Sequence, residues 1–273
     1  MRIMQNITAY TAHRHFGNTN NRVGKNLEKL SSGYRINRAA DDAAGLAVSE
    51  KMRTQVNGLS QARRNALDGV SLIQTAEAAM HEMHTMLQRM RTLAVQTSNG
   101  TYTSKDRSLV QTEISQLIDE IDRLSSATQF NELNVLKLSS SIRFHIGANK
   151  DEIMSVNIGV IGASEIGIKK SGVKLSISTI TKAESAIAVL TSSINTISTK
   201  RALLGALQNR LDHTLNALGI AHENMAASEA RIKDLDMAEE MMDFTKNQIL
   251  MQAGTSMLAQ ANQVPQSVLA LLG

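Results

Sequence analysis

The 273-residue chain contains no cysteine and no tryptophan, and only three tyrosines, four phenylalanines and one proline, Pro265. The lack of cysteine excludes disulfides and thiolate chemistry and lets the chain unfold and refold without a redox step. The scarcity of aromatic rings argues against a compact core built around them. The hydrophobic 42% is mostly Leu, Ile, Val, Met and Ala, a mixture suited to long helices meeting along seams. With one proline, the interior is free of the strongest helix breaker. No stretch reaches the roughly 18 apolar residues that argue for a membrane span. The N-terminal "MRIMQNITAYTAHRHF" has no apolar core of signal-peptide length. The net charge is only +4, and basic residues are interleaved with acids rather than clustered. Arg63–Arg64, the densest basic spot, reads as a solvated helix face, so no nucleic-acid partner is expected. Composition alone points to the cytoplasm.

Catalytic signatures are missing as well: there is no P-loop, no strand-linked GxGxxG, no GxSxG and no HExxH. His81 and His84 share a helix face, but a zinc site needs three or four ligands and an orienting shell, and no others converge in sequence. They read as polar surface, and no metal or cofactor is expected. The members of the acid pairs Asp41–Asp42 and Glu239–Glu240 are adjacent and point apart on a helix. Asp41–Asp42 fits a helix N-terminus, where the macrodipole favours negative charge. No enzyme is expected.

What the chain has is periodicity. From Met52, apolar residues recur at Val56, Leu59, Ala62, Ala66, Val70, Ile73, Ala76, Met80, Met83, Leu87, Met90 and Ala94. All steps are three or four and average about 3.5, the coiled-coil repeat. The pattern predicts a helix over 44–97, roughly 80 Å long at about 1.5 Å per residue. "SNGTYTSKD" breaks it, with Gly100 as a stop and Thr103 or Ser104 as the next cap. A shorter returning helix carries Val110, Ile114, Leu117, Ile121 and Leu124. In 139–180 the period changes to two: Ile142, Phe144, Ile146, then Met154, Val156, Ile158, a β-hairpin. "TKAE" at 181–184 has a capping-box pattern and opens a third long helix with Ile187, Leu190, Ile194, Ile197, Leu204, Leu207, Leu211, Leu215 and Leu218 on its seam.

Both ends carry apolar stripes too broad for a solitary solvated helix. One runs Ile3, Ile7, Tyr10, Val23, Leu27, Leu30, Tyr34. The other runs Met237, Met241, Phe244, Met251, Leu258, broadened by Met242, Ile249, Ala253 and Met257. Closing so long a loop is entropically unfavourable for a lone chain. The termini are therefore expected to be mobile in the monomer and ordered on association. The fold class expected is mainly α, a long antiparallel helical bundle or coiled-coil rod with a small β-hairpin region.

Five blocks carry a resemblance, two of them being "EIDRLSSATQFNELNVL" (120–136) and "LGALQNRLDHTLNAL" (204–218). "LEKLSSGYRINRAADDAAGLAVSEKMR" (27–53), "QARRNALDGVSLIQTAEAAMHEMHTMLQRMRTLAVQTSNGT" (61–101) and "AASEARIKDLDMAEEMMDFTKNQILMQAGTSMLAQANQVPQSVLALL" (226–272) resemble bacterial flagellin, the subunit of the flagellar filament, in the family's order. The resemblance implies an axial inner domain pairing residues 1–42 with 235–273, and an outer helical domain over 43–234 with a short variable region at 139–180. It implies axial packing by Ile3, Ile7, Leu27, Leu30, Met241, Phe244, Ile249, Met251, Leu258 and Leu269. A spoke between the domains would use Ser31, Ser32, Gly33, Arg35, Arg38, Asp41 and Asp42, the arginines and aspartates being able to form inter-subunit ion pairs. The implied partners are further copies of the chain in a helical homopolymer, an export chaperone on the C-terminal helices, the filament cap and hook-associated proteins. A vertebrate Toll-like receptor would see Arg89, Leu93, Gln96 and Glu113, with Thr92 where an acid is usual. Type III export to an extracellular filament replaces the cytoplasmic reading. Two other readings are a hook–filament junction protein and an intracellular coiled-coil scaffold.

Overall fold

The computed structural model describes residues 5–170 and 172–272, with side chains described as far as 263 except at 170. Among the described residues are five long helices: α1 Ile7–Ser32, α2 Ala43–Ser98, α3 Ser104–Ala127, α4 Ile180–Lys233 and α5 Met237–Leu272. Three short antiparallel strand pairs lie between α3 and α4: β1 Gln129–Phe130 with β2 Leu133–Asn134, β3 Ile142–His145 with β4 Ile153–Val156, and β5 Lys169–Lys170 with β6 Val173–Lys174. The mainly α class and the hairpin at 142–156 agree with the sequence pattern. The chain divides into two compact units, residues 57–222 and residues 1–56 with 223–273.

In the unit of residues 57–222, contacts ascend along one helix as they descend along the next, so the helices are antiparallel. Arg89 pairs with Glu113 (2.8 Å), and Arg107 Nε donates to the Thr97 carbonyl (3.0 Å). Along α4, Gly69 lies against Leu211, Glu77 pairs with Arg201 (3.4 Å), and Arg91 Nε donates to Thr191 (3.3 Å). The expected seam is buried from Ala62 to Ala94 apart from half-buried Val70. A second line was not anticipated: Leu72, Ala79 and Leu93 are buried too, with Met86 partly so. A helix covered by several neighbours needs a wider apolar stripe than a two-stranded seam. On α3 the most buried residues are Ile114, Ile118 and Ile121, with Leu117 and Leu124 at the edge of the core.

Local chemistry explains most boundaries. Thr103 and Asp106 form a reciprocal capping box at the start of α3. The β1–β2 turn places Asn131 and Glu132 at φ 49° and 65°, the left-handed pair that a two-residue hairpin requires. The β3–β4 hairpin lies on α2: Asn65 Nδ2 donates to the His145 carbonyl (2.9 Å), and a Cβ at Gly58 would come within 3.0 Å of the Ala148 Cβ. One cap differs from expectation. Thr181 lies inside α4, and the Thr179 hydroxyl accepts the Lys182 amide (3.3 Å). The threonine two positions earlier takes the cap, and Lys182 cannot reciprocate as a glutamate would.

In the other unit, α1 and α5 run antiparallel: Asn6 meets Ala261, Phe16 meets Gly254 and Lys29 meets Glu240. Pro265 lies within α5 rather than beyond its helices. Having no N–H, it leaves the Ala261 carbonyl without its intrahelical donor. The Asn6 amide supplies one at 2.7 Å, while Asn6 Oδ1 caps α1 by accepting from Ala9 N (3.1 Å).

Candidate assembly surface

The α1–α5 seam follows the coiled-coil repeat on both helices. On α1 the less exposed line is Ala9, Ala12, Phe16, Thr19, Val23, Asn26, Leu30, and on α5 it is Glu240, Phe244, Asn247, Met251, Gly254, Leu258, Ala261. Both lines step by alternating threes and fours. The seam is mostly small or polar. Asn26 and Asn247 are its two buried members, and Asn247 Oδ1 has no partner. Asn26 donates to Glu240 Oε1 (3.3 Å) and to the Arg22 carbonyl (2.8 Å). Polar groups in such a seam fix register at a cost in stability.

Several large apolar residues lie outside that seam. Tyr10 is 75% exposed and Ile7 59% on α1, while Met242 is 68%, Ile249 61% and Met257 60% exposed on α5. Leu27 and Met241 are also exposed. Met241, Met242, Thr245, Lys246, Ile249 and Leu250 line an open, mainly apolar groove on α5. The ten residues expected to pack axially therefore fall into groups. Leu30, Phe244, Met251 and Leu258 are in the intrachain seam, and Ile7, Leu27, Met241 and Ile249 are uncovered. Ile3 lies outside the described residues, as does the side chain of Leu269.

The segment between α1 and α2 is tightly bonded. Gly33 ends α1 at φ 73°, its N–H donating to the Lys29 carbonyl (2.8 Å). It is then stitched to the α4–α5 connection: Leu235 N donates to the Gly33 carbonyl (3.0 Å), Arg35 N to the Lys233 carbonyl (2.8 Å), and the Arg35 guanidinium to the Ile232 carbonyl (2.6 Å). Ile36 is buried beneath this stitch, while Lys233 sits 5.0 Å from the centre of the Tyr34 ring and pairs with Glu50 (3.3 Å). Ile36, Tyr34 and Lys233 were not among the expected spoke residues. An isoleucine inside so polar a stretch was the available signal.

Within the chain the expected arginines and aspartates do not pair with one another. Arg38 Nε bonds Glu28 (2.7 Å), and Asp41 accepts the amides of Asn37 (3.3 Å) and Arg38 (3.0 Å). The Arg38 amide, with that of Asn37 and the charges of Lys25 and Lys29, holds the Asp41 carboxyl below its usual range. Asp42 caps α2 through Gly45 N (2.9 Å), the helix-terminal role the acid pair suggested. Ser32 Oγ donates to the Lys29 carbonyl and accepts from Asn37, and Ser31 is exposed.

The receptor set belongs to the other unit and is only partly a surface. Arg89 and Glu113 form an exposed pair between α2 and α3, and Gln96 bonds the Tyr102 hydroxyl (2.5 Å). Leu93 is 2% exposed, drawn into the core by the second buried line of α2. Among the described residues no group of three or more potential metal ligands occurs, and no helix is long and apolar enough to cross a membrane.

Fold and surface together define a mainly helical protein with uncovered apolar faces on α1 and α5. Comparison with known proteins makes that class specific. The profile of the bacterial flagellin N-terminal helical region matches residues 3–141, and that of the C-terminal helical region matches residues 187–272. Flagellin FlaB2 of Treponema pallidum (strain Nichols) is 50% identical over 285 residues, covering 100% of both chains. A flagellin of Halalkalibacterium halodurans is 49% identical over 273 residues, again covering 100% of both. The crystal structure of Bacillus cereus flagellin is similar at 31% identity and a TM-score of 0.51, covering 61% of this chain and 94% of that one. The chain belongs to the bacterial flagellins, structural subunits of the flagellar filament.

Proposed function

We propose that the uncovered apolar faces of α1 and α5 are the surfaces on which successive copies dock along the filament axis. The observation that carries this is exposure: the α1–α5 seam covers one line on each helix, including Phe16, Leu30, Phe244, Met251 and Leu258, and leaves Ile7, Tyr10, Met242, Ile249 and Met257 in water. Bulky apolar residues on one helical face favour association, because each gains roughly 1.5–3 kcal/mol on full burial. Residues 1–42 with 235–273 form the axial part and 43–234 the outer part. The division of the chain into residues 1–56 with 223–273 and residues 57–222 supports a two-part reading with its boundary further along α2 and α4. The bonded segment at 31–42 acts as the spoke, and Arg38 and Asp41, though bonded to Glu28 and to the Asn37 and Arg38 amides, are exposed toward a neighbouring copy.

The same faces suit an export chaperone, which would cover them before secretion to the extracellular filament, and the cap and hook-associated proteins at the filament ends. The exposed Arg89–Glu113 pair with Gln96 is the part of the receptor set available to a vertebrate Toll-like receptor. The chain performs no catalysis in this role. A hook–filament junction role is the nearest alternative. A hook-associated protein described as putative, from Vibrio parahaemolyticus, shares the fold with a TM-score of 0.60 at 16% identity, which speaks to fold alone.

Seeded elongation tests the proposal. Purified chain added to filament fragments should elongate them, and Ile249→Lys should slow elongation by about tenfold or more, because docking would bury an unpaired charge. Unchanged elongation by that variant would remove α5 from the docking surface, and failure of the parent chain to elongate seeds would favour the junction role.

A further inference from the structure

Two sets of methionines stand at the extremes of burial, with Met52, Met86, Met225 and Met251 in between. In the core of the 57–222 unit, Met80, Met83 and Met90 are fully buried and Met154 is 6% exposed. On α5, Met237, Met241, Met242 and Met257 are 48%, 47%, 68% and 60% exposed. The exposed set shares its surface with Ile249 and Leu250, and two of its members line the apolar groove on that helix. A thioether is apolar and polarizable, so it packs well on a face that must adapt to a neighbour. It is also the side chain, apart from cysteine, that two-electron oxidants attack most readily when exposed.

We infer that Met237, Met241, Met242 and Met257 are an oxidation site for peroxides and hypohalous acids, through which an oxidant stops free subunits from joining the polymer; the assembly consequence rests on the docking reading above. The step is an oxygen transfer. A sulfur lone pair attacks one oxygen of hydrogen peroxide, the S–O bond forms as the O–O bond breaks, and a proton shift releases water. Sulfur loses two electrons and the peroxide gains them. The product is a sulfoxide, whose oxygen is a strong hydrogen-bond acceptor.

On this face the nearby side-chain donors are few and already partly committed. Thr245 Oγ1 already donates to the Met241 carbonyl (2.8 Å), and Lys246 Nζ is engaged with Asp243 Oδ1 (2.7 Å). Docking a second copy would strip water from the sulfoxide oxygen, which is unfavourable. Met80, Met83 and Met90 are shielded by packing, so oxidation of the exposed α5 methionines leaves the 57–222 core intact. Methionine sulfoxide reductases, acting on both epimers, reverse it.

The test treats the full-length monomer with graded hydrogen peroxide, maps sulfoxides by peptide mass spectrometry, and measures elongation from untreated seeds. The four α5 methionines should gain oxygen before Met80, Met83 and Met90. Monomer modified only on α5 should elongate about tenfold more slowly, the ratio produced by one uncompensated buried polar group. Treatment with both reductases and a thiol reductant should restore the rate. Met241→Leu/Met242→Leu/Met257→Leu, matched to the parent by circular dichroism, should show a treated-to-untreated ratio closer to one than the parent does.

Equal oxidation of the core and α5 sets would overturn the site. Selective oxidation with undiminished elongation, or a slowed rate that the reductases do not restore, would overturn the consequence for assembly. If untreated monomer does not elongate seeds, the docking reading falls, while selective sulfoxidation on α5 would still establish the modification site.

Discussion

Gly33 and Gly45 flank one linker and are glycines for different reasons. Gly33 has open space where a Cβ would stand, but its φ of 73° is left-handed. Gly33→Ala should therefore cost about 1 kcal/mol in urea unfolding, and Gly33→Asn less, because asparagine tolerates that region better. At Gly45 a Cβ would collide with the Asp42 carboxylate and reach within 2.8 Å of Ile36 Cδ1, so close approach is the requirement there. Among the other small residues of this run, Ser31, Ala39 and Ala40 are exposed. A second residue-scale device is Asp122 on α3, which bonds Lys169 Nζ (2.9 Å) and the Ala163 amide (3.0 Å). Burial alone would raise its pKa, but the Lys169 ammonium and the Ala163 amide outweigh it and hold the carboxyl below its ordinary value. A carboxyl lowered by folding contributes stability in full above its unfolded value near 3.9, and that contribution fades as pH falls through the folded value. Asp122→Asn should lower the unfolding midpoint at neutral pH and narrow the gap between neutral and acid midpoints, as urea titrations at pH 7 and pH 3 would measure.

At the scale of elements, α2, α3 and the β3–β4 hairpin were legible because each carries an uninterrupted period or an explicit cap. Thr103 and Asp106 are the clearest case: the threonine hydroxyl bonds the carboxylate and lowers its pKa, and each side chain satisfies the other's backbone amide. Thr103→Ala should destabilise by about 1 kcal/mol, read as a lower urea midpoint and faster amide exchange in the first turn of α3. The cap of α4 was misplaced because the sequence offers threonine at 179 and 181 and glutamate at 184, and only chain direction decides which hydroxyl faces the free amides. Contacts between elements left weaker traces. Nothing in the local pattern says that Gly58 is where the hairpin loop meets α2, since a glycine within a helix is otherwise only a small destabilisation. Gly58→Val would press on Ala148 and should speed amide exchange in β3 and β4 while leaving α3 protected. An unchanged hairpin would mean that the loop has room to move aside.

For the whole molecule, the two units differ in what holds them. The 57–222 unit closes a continuous core from Ala66 to Leu211 without help. The unit of residues 1–56 and 223–273 joins α1 and α5 through a narrow seam with two buried asparagines and leaves much of its apolar surface uncovered. Anything that binds only the folded form stabilises it by mass action. Polymerisation should therefore slow amide exchange in α1 and α5 by about tenfold or more, with little change in α3; equal protection in monomer and polymer would count against docking on those helices. Helix positions, the hairpin and the presence of apolar faces at both ends were determined by the sequence itself, because period, caps and turns act over a few residues. Tertiary structure alone decided which face of each terminal helix meets the other, that Leu93 goes inward, and that Asn6 answers the carbonyl freed by Pro265. Those outcomes depend on which distant surfaces meet. An apolar stripe records that something must cover it, whereas packing geometry selects one heptad-spaced line for the partner helix in the same chain and leaves Ile7, Tyr10, Met242, Ile249 and Met257 uncovered.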